Sequence, residues 1–281
     1  MRELYPMNAA ELLDRAVDIY KKSFWMQLAF GAIIWAVGIV ALFFLGFALM
    51  FVLVIVGIAL DGLFLYNEPS MVAIGLGVVA MVIPLLLTWE SLAACGHILL
   101  AGKVIRGEKA TLVKLGLSKA VFRIIGAVFA QFLMALPFTI LMIGVLYVAA
   151  TFHWGFALFL VPLLLAFVIF ANAYCLAVSV AAFENKTMFG AIFRSWELVK
   201  TDFWRIFGLR ALWYIIALFM STFVQGVVGL AGGAAGGILA PVLATLLIQP
   251  MNGIFQATIY FNQRVKNEGY DIELRLERLQ S

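Results

Sequence analysis

The chain has 281 residues, of which 65% are hydrophobic and only 12% charged, with a net charge of +4 and a mean hydropathy of +1.09. A soluble domain carries about a quarter charged residues, whereas several apolar runs here exceed the ~18 residues that mark a membrane span. Soluble packing is therefore excluded. A disulfide or zinc framework is excluded too, because Cys95 and Cys175 both fall inside apolar runs and read as small buried thiols.

Glu3, Glu11, Asp14 and Asp18 interrupt Met1–Lys22, which therefore does not read as a secretory signal. Six apolar runs follow: Phe24–Leu60, Met71–Gly102, Ile124–Ala150, Gly155–Phe183, Phe203–Val228 and Ile238–Phe261. The first holds 37 residues without a charge, more than the ~20 needed to cross. It reads as one long tilted helix, or as a helix followed by an outer segment that dips back.

The charges between these runs alternate. All 19 basic residues precede the first span, lie between the second and third, lie between the fourth and fifth or just inside the fifth, or follow the sixth. The other three loops carry only Asp61 and Glu68, then His153, then the glycine-rich Gly229–Gly237. The positive-inside bias puts both termini in the cytoplasm and predicts a multi-pass cell-membrane protein, of the prokaryotic plasma-membrane kind. Basic segments on that face favour anionic headgroups. A protein partner or a second copy is an open possibility, and no nucleic-acid partner is expected.

The basic segments resemble one another. Asp18-Ile19-Tyr20-Lys21-Lys22-Ser23-Phe24-Trp25 aligns with Glu197-Leu198-Val199-Lys200-Thr201-Asp202-Phe203-Trp204, and Leu117–Arg123 is a weaker copy. Before the first, Leu12, Leu13, Ala16, Val17 and Tyr20 share a helical face; before the second, Ile192, Trp196 and Val199 do so. Such helices are expected in the interface, with Phe24, Trp25, Trp196, Phe203 and Trp204 as aromatic anchors. The expected fold is an all-α integral membrane protein of six transmembrane helices, built as three repeats of an interfacial amphipathic helix plus a hairpin. The repeats cover about 8–103, 109–183 and 187–264 of a single membrane domain 1–281, and 265–281 forms a cytoplasmic tail.

Polar residues inside the runs are the site candidates. Glu90 lies 13 residues before Lys103, about 20 Å along a helix, and an intramembrane carboxylate is costly enough to suggest function. Asn172 and Asn252 occupy similar positions before Lys186 and Arg264. Convergence of Glu90, Asn172 and Asn252 between repeats is one expectation; interhelical glue worth ~1 kcal/mol each is the other. Arg210 reads as snorkelling to the headgroups, the alternative being a reach inward. Cys95 and His97 are two residues apart and point in different directions on a helix, so no metal site is expected. No cofactor and no catalytic group is expected, since no HExxH, paired aspartates or Ser/His constellation occurs.

After Gly269, which breaks the last helix, Tyr270, Ile272, Leu274 and Leu276 alternate with charged residues, as in a short strand; Leu276 and Leu279 also allow a helical turn. Packing along the cytoplasmic helices is the expected role of this tail, and docking of a partner the alternative.

Ala10–Phe24, with Glu11-Leu12-Leu13-Asp14-Arg15-Ala16, resembles the opening of the glycerophosphoryl diester phosphodiesterase membrane-domain proteins. Tyr260–Glu273, through Arg264, Glu268, Gly269, Asp271 and Glu273, resembles the tail of that family, and Ser195-Trp196-Glu197-Leu198 its "SWxL" before the fifth span. Asn262 or Gln263 stands where an Asp is usual, and Lys266 replaces an Arg. The resemblance implies a stand-alone membrane region without the soluble phosphodiesterase barrel or its metal ligands. The functions it leaves are binding or moving a lipid or other amphipathic molecule, or scaffolding partners through the cytoplasmic helices and tail.

Overall fold

A computed structural model of the chain describes residues 5–62, 93–108, 117–151, 154–184 and 186–280. Helix α1 runs Ala9–Gly62, α2 is 93–106, and α3 is Leu117–Thr151. A 3-10 segment, Trp154–Phe159, leads into α4, Leu160–Ala173, and α5, Ala177–Phe183. Helix α6, Met188–Val199, is joined by the 3-10 turn Lys200–Asp202 to α7, Phe203–Glu268; α8, Tyr270–Gln280, ends the chain. Among the described residues there is no strand.

Among the described residues, five helical segments are long and apolar enough to cross a membrane: Ala9–Val40, Phe122–Met142, Leu160–Phe183, Met188–Gly233 and Ala235–Glu268. They cover five of the six runs read from the sequence. Of the remaining run, Met71–Gly102, only 93–102 lies within the described residues, and it is helical.

Helix α1 opens on a reciprocal cap, in which Asn8 N–H donates to Glu11 and Glu11 N–H to Asn8, at 2.8 and 2.9 Å. It then continues without a break through the expected interfacial segment into the span. The reason is a single buried stripe: Leu12, Ala16, Ile19, Ser23, Gln27 and Phe30 recur every three or four residues. The 54 residues of α1 are ~80 Å long, against ~30 Å of hydrocarbon. This resolves the choice for Phe24–Leu60 in favour of one long helix.

Helix α7 folds back on itself at Gly233, the one residue within it with non-helical backbone angles (φ 54°, ψ −135°). A side chain is strained at that φ. The arms 203–232 and 234–268 then pair antiparallel, matching residues at equal distances from the bend. Gly236 lies on Val228 and Gly229, Trp213 bonds to Asn252, and Asp202 accepts from Gln263 at 3.3 Å. The glycine-rich stretch is thus a tight turn, so that almost no loop is left.

The core lies towards the end of the bundle that carries the basic residues. Helix α2 is at its centre, with Ala93, His97, Ile98, Leu100 and Ala101 fully enclosed. Gly253 of α7 lets α2 approach closely, since a Cβ there would lie 3.2 Å from the Ala94 carbonyl and 2.5 Å from His97 Cβ. Towards the other end, Phe43, Phe44, Phe47, Ile140, Leu165, Phe219 and Phe223 are exposed, an apolar surface of the kind that faces lipid.

The tail after Gly269 takes the helical of its two readings, as α8, and one expectation is corrected. On α6 the buried face is Ala191, Ile192, Ser195, Leu198 and Val199, packed on protein, while Trp196 turns outward and is 42% exposed. Apolar burial against neighbouring helices orients that face of α6, while Phe189, Phe193 and Trp196 stay exposed on the other.

Candidate functional site

Helix α4 stops at Ala173 and α5 starts at Ala177, within one apolar run. In the intervening turn, Tyr174–Leu176, Cys175 N–H bonds to the Asn172 carbonyl and Ala177 N–H to the Tyr174 carbonyl, which leaves other groups of the interrupted ladder in need of partners. Three other helices supply them. From α3, Gln131 Nε2 donates to the Tyr174 carbonyl at 2.9 Å. From α6, the Ser195 hydroxyl donates to the Ala173 carbonyl at 3.3 Å and accepts from Leu176 N–H at 3.1 Å. From α7, Arg210 Nη1 reaches the Ala171 carbonyl at 3.5 Å and Asn172 Oδ1 at 3.2 Å, and Asn172 Nδ2 in turn donates to the Phe203 carbonyl at 3.4 Å.

Arg210 turns inward to this break and does not extend to the helix end. Its Nη2 donates to the Tyr214 hydroxyl at 3.2 Å, its guanidinium carbon stands 5.7 Å from that ring, and the Cys175 thiol is a further neighbour. One turn further along α7, Trp213 Nε1 donates to Asn252 Oδ1. Asn172 and Asn252 are thus held by successive turns of one arm, each by its own α7 residue. Glu90, the third member of the expected constellation, lies outside the described residues.

A second polar pair is sealed between α1 and α2. His97 Nδ1 and Gln27 Oε1 are 2.6 Å apart, Gln27 Nε2 donates to the His97 carbonyl at 3.4 Å, and Phe30 meets the imidazole edge-on at 5.1 Å. Both polar residues are fully buried. Among the described residues no group of three or more His, Cys, Asp or Glu could hold a metal ion.

The aromatic anchors behave alike in the two aligned segments. Phe24 and Trp25 meet edge-on at 5.2 Å, Phe203 and Trp204 at 5.3 Å, and the two tryptophans are 78% and 71% exposed.

The tail motif forms a clamp at the charged flanks of α6 and α7, outside their apolar stretches. Arg194 of α6 bonds to Glu184 at 3.0 Å and to Glu268. Arg264 bonds to Glu268 at 2.9 Å and Glu273 at 3.5 Å, and lies 4.1 Å over the Tyr270 ring. Gly269 is left-handed (φ 65°) and returns its N–H to the Val265 carbonyl, turning the chain into α8, whose first turn carries Asp271 and Glu273. Tyr260 donates to Glu184 at 3.0 Å, Asn267 to the Leu198 carbonyl at 3.2 Å, and Asn262 accepts from Met7 N–H at 2.8 Å.

Burial acts to raise the Asp202 carboxyl, but hydrogen bonds from Lys266 and Gln263 and the charges of Lys266 and Arg205 prevail and hold it below the ordinary carboxylate value. Glu268 is depressed in the same way, its bonds from Arg264 and Arg194 outweighing burial.

No family model, curated protein or solved structure matches the chain.

Proposed function

We propose that this is a polytopic membrane protein that binds or moves a lipid or another amphipathic molecule, with six spans and both termini in the cytoplasm. The resemblance to the stand-alone glycerophosphoryl diester phosphodiesterase membrane regions belongs to the same reading, as does a binding rather than catalytic role. The observation that carries it is the helix broken at Tyr174–Leu176 beside Arg210. Broken helices at membrane depth occur where the backbone is buried in protein or lines a cavity, and they form the binding sites of many carriers. The neighbouring Val168, Ile169, Tyr214 and Leu218 are exposed on the apolar surface, so a chain-bearing molecule can reach the break from the bilayer.

A photoactivatable phospholipid in reconstituted membranes tests this. Crosslinks concentrated on 168–176 and 207–214 are expected. Labelling spread evenly over the exposed apolar faces of α1, α3 and α7 would sink it.

The scaffold reading has one observation of its own. Ile272 and Leu276 of α8 are exposed beside the clamp, so α8 is the place at which a partner would dock. Loss of a co-purifying protein on truncation after Gly269 would favour that role.

A further inference from the structure

We propose that Arg210 binds the phosphodiester anion of a membrane phospholipid, with Asn172 orienting the guanidinium and Tyr214 adding its hydroxyl to the seat. This rests on the lipid-binding reading above and names the group recognised.

Among the described residues the charge of Arg210 is oriented without being neutralised. Its partners are the Ala171 carbonyl, the Asn172 amide oxygen, the Tyr214 hydroxyl and the Cys175 thiol. Among the described residues no carboxylate pairs with it, whereas Arg194, Arg205 and Arg264 each hold one. Arg210 lies seven residues into α7 from Phe203, about 10 Å along the helix, inside an apolar stretch. A cation placed there is costly and is retained where an anion or a polar partner meets it.

The chemistry of that anion follows from the fork. A guanidinium presents parallel N–H donors that match two oxygens of a phosphate. Neutral acceptors on both terminal nitrogens, the Ala171 carbonyl and the Asn172 amide on Nη1 and the Tyr214 hydroxyl on Nη2, fix the plane of the group and, among the described residues, leave its charge for the ligand. Tyr214, which is 54% exposed, stands on the bilayer side of the guanidinium and offers a hydroxyl to the same anion. Acyl chains then have the exposed Leu165, Val168, Leu218 and Phe219 to lie against. The phosphodiester is common to zwitterionic and anionic phospholipids, so this seat discriminates by phosphate rather than by headgroup.

Native mass spectrometry of the delipidated full chain in mild detergent tests the proposal, with phosphatidylglycerol, phosphatidylcholine, diacylglycerol and inorganic phosphate as probes. Wild type is expected to keep one phospholipid of either headgroup and to release diacylglycerol. Inorganic phosphate in excess, lacking acyl chains, is expected not to displace the lipid. Arg210→Gln weakens phospholipid binding about tenfold, and Arg210→Lys falls between, because an ammonium cannot make the paired contact. Should Arg210→Gln fail to fold, Asn172→Asp provides the second arm. It places a carboxylate beside the guanidinium as an internal counter-ion and is expected to expel the lipid while keeping the fold.

Equal retention of diacylglycerol, or unchanged binding by folded Arg210→Gln or Asn172→Asp, overturns the phosphate seat and leaves lipid binding standing. Displacement by inorganic phosphate overturns the lipid as source of the anion. Wild type that retains none of the lipids overturns the broader reading along with it. Glu90→Gln is measured alongside: if it alone releases the phospholipid's dependence on Arg210, Glu90 is the counter-ion and the proposal fails.

Discussion

Residues 18–25 and 197–204 share one sequence pattern and fold into two different geometries. In the first, the chain passes through as uninterrupted helix α1; in the second, α6 ends, the 3-10 turn Lys200–Asp202 intervenes and α7 begins. The aromatic pairs that follow are alike in spacing and exposure. The difference lies one residue earlier, where Ser23 aligns with Asp202. Ser23 is buried and returns its hydroxyl to the Ile19 carbonyl at 2.7 Å, so its side chain is spent inside its own helix. Asp202 has left helical geometry (φ −124°, ψ 29°) and accepts from Lys266, Gln263 and Arg205. A short polar side chain can serve the local ladder or a distant partner, and which it serves decides whether the helix goes on.

The largest expected effect comes from breaking the clamp that holds the second geometry. Arg194→Ala leaves Glu184 and Glu268, whose side chains are 15% and 26% exposed, without their shared cation. Truncating one partner of a part-buried pair costs about 2–3 kcal/mol after allowance for solvent. Thermal unfolding in detergent measures it, and a loss below about 1 kcal/mol would show that the clamp is ornamental. The next largest makes the first geometry imitate the second. Ser23→Asp puts a carboxylate into the buried stripe of α1 without the Lys266 and Gln263 partners that Asp202 has. A destabilisation of about 2 kcal/mol is expected, and Ser23→Ala in the same assay about 1 kcal/mol or less.

Much of this architecture is legible in the sequence, because it rests on hydrophobic length and on glycine. The apolar runs, the reversal in Gly229–Gly237 and the end of α7 at Gly269 all follow from residue types with one physical reading. The break between α4 and α5 has no such mark. Ala173-Tyr174-Cys175-Leu176-Ala177 contains neither glycine nor proline, and its turn is held by Gln131, Ser195 and Arg210 from three helices far away in sequence. Arg210 is open to two readings from sequence, since a long side chain near a span end can snorkel or fold inward; Asn172 and Tyr214 settle it inward. The "SWxL" stretch offers a signal that resemblance alone does not explain. Its serine caps the break, and its tryptophan faces out.

A smaller effect sharpens the comparison through pH. The Asp202 and Glu268 carboxyls are held below their unfolded values by their cations. A depressed carboxylate contributes stability that is fully present above the unfolded value, near 4, and is lost as the pH falls through the folded one. Acid unfolding of the wild type is therefore expected to steepen below about pH 4, and Asp202→Asn flattens part of that slope. Ser23, the aligned position, has no charge to lose, so Ser23→Ala must leave the acid limb unchanged. An acid limb that flattens equally in both variants would place the titration elsewhere.

The smallest effect concerns the aromatic pairs, where the two segments agree. Trp25 and Trp204 are largely exposed, so truncation removes little packing within the protein. Each is expected to cost under about 1 kcal/mol in detergent while shifting how the helix sits in a bilayer, because indoles anchor at the headgroup level. Depth-dependent quenching of the single remaining indole, with the other five tryptophans and one of this pair changed to phenylalanine, measures that placement. Equal depths for Trp25 and Trp204 would mean that the membrane sees the two segments as one repeat, even though Ser23 and Asp202 have sent their backbones different ways. Unequal depths would mean that the turn at Lys200–Asp202 also resets the register of α7 against the bilayer, and that the shared pattern fixes chemistry without fixing position.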